Sequence, residues 1–282
     1  MFLRSGWPEL SAFWAMQVET AKDKWTSGPR YDAWMGRWSK LLANEFLSWL
    51  NLPSGARWLD VCCGTGVLSQ AVAERCAAAS ITGVDASPSQ VAYAKEQRSH
   101  GVAYHLANAM ELPFGDGSFD VSVSGLGLNF IPDPERALRE IARVTIPGGV
   151  VAGYVWDYQQ GARFVREFWD AALQYDCEAL SFDQGRRFDF CTPEGLKKLF
   201  ETANLSRIET RSLDIETQFS SFDDYWQPFL TGQGSAPTYL ANRNENIREA
   251  IRERLRASSP ISNKDGSITL PARAWAVRAG VA

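Results

Sequence analysis

The chain has 282 residues, 45% hydrophobic and 22% charged, the make-up of an ordinary globular protein with enough apolar material for a sizeable core. A formal net charge of -4 at pH 7 gives no general attraction to polyanions, so nucleic acid is a poor partner, and no run of about 18 apolar residues marks a membrane span. Five cysteines without framework spacing argue against a disulfide scaffold, and two histidines without ligand spacing argue against a structural zinc site; with no signal-peptide pattern at the N-terminus, a cytoplasmic location is expected.

Residues 9 to 50 read as two aromatic-rich helices separated by "TSGPRYD". From Arg57 to Trp156 strand-like runs alternate with helical patterns, as in a parallel sheet with crossover helices. "ARWLDV" is a buried strand, and Val67, Leu68, Ala71, Val72 and Cys76 follow at helical spacing. "SITGVD" is the second strand; after it Ser87 caps a helix with Pro88 at its first position. "VAYHLA" is the third strand, and the turn "PFGDGSFD" leads into a fourth, "VSVS". In "IPDPERALREIARV", Asp133 caps, Pro134 starts the helix and Leu138, Ile141 and Ala142 face inward; "PGG" is expected to stop it before the fifth strand, "VVAGYVW". Residues 157 to 204 look mainly helical, "LSRIETRSLDIETQF" is a long strand, "NRNENIREAIRERLRA" a charged helix with a solvated face, and "GSITLPARAWAVR" a closing strand. The expected class is α/β: a doubly wound, mostly parallel sheet with helices on both faces, an antiparallel last strand and a helical cap.

In such sheets the loop after the first strand meets the ligand, and here it reads "DVCCGTG". Gly64 and Gly66 permit a tight turn, but a dinucleotide fingerprint would need a third glycine where Ser69 stands. Asp60, at the end of the first strand, would repel a pyrophosphate and attract an ammonium group. Asp85 closes the second strand, where a carboxylate accepts the hydroxyls of a ribose. An amine, a ribose and no phosphate describe S-adenosylmethionine.

At this point the sequence resembles the class I, Rossmann-like S-adenosylmethionine-dependent methyltransferases, especially small-molecule members similar to quinone-biosynthesis enzymes. "LDVCCGTG" resembles their glycine-rich loop, "GVDAS" their ribose-binding strand end, "ANAMELPFGDGSFD" their adenine-side segment and "IARVTIPGGVVAGYVW" their fifth-strand region. The resemblance implies one domain with a lid over residues 1–56, a cofactor core over 57–156 and a cap with closing strands over 157–282. It implies that Gly64 and Gly66 offer backbone to the methionine portion, with Asp60 near its amino group and Asp85 on the ribose. Ala86, Asn108, Ala109 and Met110 would flank the adenine, and Ser124 and Gly125 would lie under the methionine and sulfonium. "RYDAWMGRWS" resembles a segment that closes over the cofactor, making Tyr31 a candidate to cover it and Arg37 a candidate to pair its carboxylate. Cys62 stands where the first loop glycine is usual. Both Cys62 and Cys63 read as packing residues rather than chemistry.

Methyl transfer is an in-line displacement from an activated donor, so alignment and exclusion of water supply much of the rate and no general base is obligatory. If the acceptor needs one, Asp157 is the candidate base, and Asn129 the candidate to orient the acceptor; a cap or a loop hydrogen bond is the plainer role for each. His105, inside the third strand, reads as structural. The large rings of the cap, among them Trp156, Tyr158, Phe164 and Phe188, suit a planar or apolar small-molecule acceptor. Two other readings stay open: a non-catalytic binder of S-adenosylmethionine or S-adenosylhomocysteine, and a nicotinamide oxidoreductase, although none of the eight tyrosines has the lysine four residues later that such enzymes commonly use.

Overall fold

The computed structural model describes Asp23 and residues 28–97, 100–230, 234–258 and 265–282. Seven strands form one sheet: β1 (Arg57–Val61), β2 (Ser80–Asp85), β3 (Ala103–Leu106), β4 (Phe119–Gly125), β5 (Thr145–Trp156), β6 (Ser206–Phe219) and β7 (Ile268–Gly280), in the order β3-β2-β1-β4-β5-β7-β6. β1 to β5 pair in parallel, and β7 runs antiparallel between β5 and β6. The order reverses at β1, so β1 and β4 diverge at their carboxyl ends and leave a crevice for a ligand.

α1 (Arg37–Leu50) precedes the sheet, and the helices between its parallel strands are α2 (Val67–Arg75), α3 (Pro88–Gln97) and α4 (Pro134–Val144). α4 starts as its sequence dictates: the Asp133 carboxylate accepts from the Arg136 N–H at 2.9 Å, Pro134 follows, and Ala137, Leu138, Ile141 and Val144 are buried. Its far end steers the next loop. Arg143 donates to the carbonyls of Leu112 and Phe114, and Glu140 accepts from the Leu112 N–H at 2.9 Å, so the segment after β3 is pinned from beneath.

Two expectations about boundaries are corrected. α4 ends at Val144 and β5 begins at Thr145, so "PGG" lies inside the strand, where Gly148 has a φ of +78° and the β4–β5 register slips between Phe119 and Val121. The "TSGPRYD" stretch is not wholly a break: Gly28–Tyr31 is helical and runs through a π-helical turn, Asp32–Gly36, directly into α1. The first of the two expected N-terminal helices lies outside the described residues apart from Asp23.

The cap is built from α5 (Arg163–Ala172), a short helix Gln184–Arg187, α6 (Pro193–Glu201), α7 (Ser235–Ala241) and the charged α8 (Glu245–Ser258), of which only Ile251 and Leu255 are buried. Its core is aromatic: Phe168 stacks on Phe229 with centroids 4.6 Å apart, and Trp169 and Tyr239 meet edge to face. One ion pair is buried in it. Arg166 makes two parallel bonds of 3.0 and 2.9 Å to Asp183, whose carboxylate also accepts from the Gly185 N–H. Removing one partner strands a buried charge, so Asp183→Ala is expected to cost about 3 to 5 kcal/mol in urea denaturation. Asp214→Ala, which breaks the exposed pair with Arg273 on the β6–β7 ribbon, is expected to cost at most about 1 kcal/mol.

Candidate active site

The crevice at the carboxyl ends of β1, β2 and β4 opens into a cavity of about 770 Å³ that continues under the cap. Of the residues expected to hold the cofactor, Tyr31, Asp60, Gly64, Asp85 and Ala86 line it, as do Asn108, Ala109, Met110 and Gly125. Gly66 and Ser124 do not. Gly66 turns toward Tyr104: its φ is +82°, and a Cβ there would sit 2.4 Å from the tyrosine hydroxyl, so only glycine fits. Ser124 is buried, and its hydroxyl has no hydrogen-bond partner among the described residues.

Two carboxylates dominate the lower half. Asp60 is 1% exposed; one oxygen accepts from the Ser69 hydroxyl at 2.6 Å, while the other is buried without a partner among the described residues. Burial, with Asp85 adding like charge, pushes its carboxyl up to about 7 despite the Ser69 bond. Asp85 accepts from the N–H groups of Gly64 and Ser87, each at 2.9 Å, and burial lifts it against these bonds, which favour the ionised form. No lysine, arginine or histidine is among the described lining residues to offset this charge.

The loop that carries Asp60 onward is strained. Cys62 has a φ of +58° and Leu126, facing it from the end of β4, has +59°; both line the cavity. Gly127 makes room for the thiol side chain, since a Cβ on it would fall 2.4 Å from the Cys62 Cβ. Burial, then the charges of Asp85 and Asp60, push both Cys62 and Cys63 up, so each is a protonated thiol at neutral pH rather than a nucleophile.

Several participants went unnoticed in the sequence. Asp32, in the π-helical turn, accepts from the Thr65 hydroxyl at 2.9 Å and from the Tyr93 hydroxyl at 3.2 Å, fastening the N-terminal segment across the loop after β1 and onto α3. Isolated π-helical turns often mark functional sites, but the sequence gives no local signal for one. Tyr154, two residues before the expected Trp156 on β5, lines the cavity beside it, as period-two alternation could have shown. On the cap side Trp34, Met35, Tyr158, Phe164, Gln184 and Ser235 complete the wall.

Besides Gly66 and Ser124, three further site expectations are corrected. Arg37 does not line the cavity: its guanidinium pairs with Asp224 at 3.2 Å and lies over the Trp38 and Phe219 rings. Asp157 does not line it either, because its carboxylate accepts from the Gln160 N–H at 3.1 Å and closes the turn after β5. Asn129 is buried behind the wall, against the Tyr158 hydroxyl. His105 is partly buried in β3, and burial lowers its pKa, in keeping with a structural role.

The strand order and the ligand crevice at its switch point are those of the Rossmann-like methyltransferase fold. The match to the family described as Methyltransferase domain runs over residues 59–153, the stretch from β1 to β5. Demethylmenaquinone methyltransferase of Staphylococcus haemolyticus is 34% identical over 179 residues, 58% of this chain and 74% of that relative. Among solved structures, the YcgJ protein of Bacillus subtilis superposes with a TM-score of 0.53 at 18% identity, covering 85% of this chain and 97% of that one. Phosphoethanolamine N-methyltransferase 2 of Haemonchus contortus, solved with S-adenosylhomocysteine, gives 0.55 at 18% identity over 90% of this chain and 56% of its own. The chain belongs to the class I S-adenosylmethionine-dependent methyltransferases, and it is an enzyme that methylates a small organic acceptor.

Asp60 supplies a test of the site's electrostatics. Its carboxyl holds a proton in the folded protein up to about pH 7 that the unfolded chain gives up near the ordinary carboxylate value of 3.8, so its contribution to stability declines across that window and is level above it. Asp60→Asn removes the effect. The variant is expected to gain on the wild type by on the order of 3 kcal/mol between about pH 4 and about pH 8, read by urea denaturation. A difference that does not change with pH would mean that Asp60 titrates normally.

Proposed function

We propose that the protein moves a methyl group from S-adenosylmethionine to a planar, largely apolar acceptor of the quinol kind, releasing S-adenosylhomocysteine. The observation that carries this reading is a single cavity with two characters: uncompensated carboxylates at the strand ends and aromatic walls beneath the cap. The acceptor class is supported by those walls and by the relatives named for demethylmenaquinone.

The residues present fit the cofactor. The unpaired, buried oxygen of Asp60 suits the methionine ammonium, and Asp85 keeps lone pairs for ribose hydroxyls beyond the two it gives to backbone N–H groups. The Gly64 backbone would meet the methionine portion, with Gly125 below. Ala86, Asn108, Ala109 and Met110 would flank the adenine; the Asn108 side chain is already fixed, its oxygen accepting from the Met110 N–H at 2.9 Å. Tyr31 would close the site from the N-terminal segment. When bound, the cofactor supplies a methyl group already activated on a sulfonium.

The protein's own part is then to align and to exclude water. Asp32, Thr65 and Tyr93 hold the N-terminal segment down over the loop, and the rings of Trp34, Trp156 and Phe164 keep the acceptor side dry. The described lining residues contain no histidine or glutamate, and their only carboxylates are Asp60 and Asp85 on the cofactor side. The acceptor therefore arrives with its nucleophilic atom already reactive, as an electron-rich ring or an ionised phenol does.

A thermal-shift titration with S-adenosylmethionine, S-adenosylhomocysteine and NADH tests the cofactor half. At 100 times the dissociation constant the two adenosyl amino acids should each stabilise by about 2.7 kcal/mol, a rise of several degrees, and NADH should do nothing. A shift with NADH alone would reject the reading. Asp85→Ala is expected to weaken S-adenosylhomocysteine binding by more than tenfold in calorimetry. Wild-type affinity should rise with pH through about 7 as Asp60 ionises beside the ammonium, and Asp60→Asn should flatten that profile.

A further inference from the structure

The cap side of the cavity is walled by rings but is not wholly apolar. Three polar side chains from the cap reach it: Tyr158, Gln184 and Ser235. Ser235 has nothing to offer a ligand, because its hydroxyl donates to Asp23 and accepts from Arg187 at 3.0 Å. The other two differ. Gln184 is 5% exposed, and its carboxamide orientation is fixed from behind: the Trp169 indole N–H can only donate, so the atom it meets at 2.7 Å is the oxygen, and the amide nitrogen is turned the other way. That nitrogen has no hydrogen-bond partner among the described residues, and Gln184 lines the cavity.

Tyr158 is 5% exposed and also lacks a protein acceptor for its hydroxyl hydrogen. The Asn129 carboxamide lies against the phenol oxygen on the side of a donor, which leaves the hydroxyl hydrogen for another acceptor. Burial, followed by the charge of neighbouring groups, keeps the phenol far above its ordinary range, so it is a neutral donor. The two residues are neighbours: a Cβ on Gly185 would lie 2.6 Å from the Tyr158 carbonyl oxygen, and the Tyr158 ring rests on Phe188, which in turn meets Phe130 of the opposite wall at 5.5 Å. Both donors belong to side chains that line the cavity, so a ligand oxygen seated there can accept from the two together.

We propose that Tyr158 and Gln184 form the acceptor-recognition corner, donating hydrogen bonds to the oxygen-bearing edge of a flat aromatic acceptor, with Asn129 as a positioning residue behind Tyr158. The corner selects phenolic or carbonyl oxygen over a protonated amine, since a protonated amine has no lone pair to accept from two donors. This rests on the methyltransferase reading, and it adds a specificity that neither the strand-end carboxylates nor the apolar walls provide.

The test uses 1-naphthol and naphthalene, titrated into full-length protein saturated with S-adenosylhomocysteine and followed by tryptophan fluorescence, since Trp34 and Trp156 line the chamber. Wild type should bind 1-naphthol at least about tenfold more tightly than naphthalene. Tyr158→Phe, which keeps the ring against Phe188, and Gln184→Met should each lower 1-naphthol affinity about tenfold while leaving naphthalene and S-adenosylhomocysteine affinities within about twofold. Unchanged S-adenosylhomocysteine binding shows that each variant is folded. Equal binding of the two probes by the wild type, or variants that keep the preference, would overturn the corner and leave the methyltransferase reading standing. Failure of the wild type to bind S-adenosylhomocysteine would overturn both.

Discussion

The structure depends on two carboxylates held out of water at the ends of adjacent parallel strands. Asp60 and Asp85 are presented side by side because β1 and β2 run in register, with Asp60 opposite Gly83 and Val61 opposite Val84. In water such a pair would simply ionise. In this crevice burial and mutual repulsion oppose ionisation, and the hydrogen bonds from Ser69, Gly64 and Ser87 only partly offset them. No basic residue among the described lining residues offsets this charge, so the crevice suits a cationic, hydroxyl-bearing ligand. The left-handed backbone at Cys62 and Leu126 belongs to the same arrangement, because it bends the two strand ends apart around that charge.

Much of this was legible from residue order alone. Strand and helix periods located β1 to β4 closely, helped by the proline starts of α3 and α4, whereas β5 begins earlier than its pattern suggests because "PGG" reads as a break. The strand-end carboxylates followed from chemistry: an acid in a loop that superficially suits a phosphate is informative because it excludes one. What local pattern could not supply was partnership across distance. Arg37 reads as a free cation near the cofactor, yet Asp224, far along the chain, neutralises it. Asp157 reads as a base after β5, yet the turn it closes uses its carboxylate. Gln184 carries no motif, and its orientation becomes meaningful only through Trp169, one face of a different helix.

The cap and the core follow different physics. The core is specified by backbone pairing and by charge at strand ends, whereas the cap is specified by ring packing and by the buried Arg166–Asp183 pair. That pair sits one residue from Gln184, and Asp183 caps the short helix that carries it. The ion pair thus fixes the short helix as a unit, and Trp169 then fixes the amide within it. The aromatic packing alone would tolerate rotation of such a side chain, because rings offer area without direction.

The place of β7 between β5 and β6 has a consequence for assembly. β6 is made before β7, yet it has no neighbour in the sheet until β7 pairs with both it and β5. The whole segment 220–267, including α7 and α8, is therefore closed into a loop by a long-range strand insertion, a slow and entropically costly kind of contact. Until that insertion, the cofactor crevice between β1, β2 and β4 can already be shaped, while the segment that carries Ser235 lacks the strand that ties both of its ends to the sheet. The order of folding thus favours a chain that can recognise its donor before it has finished building the room for its acceptor.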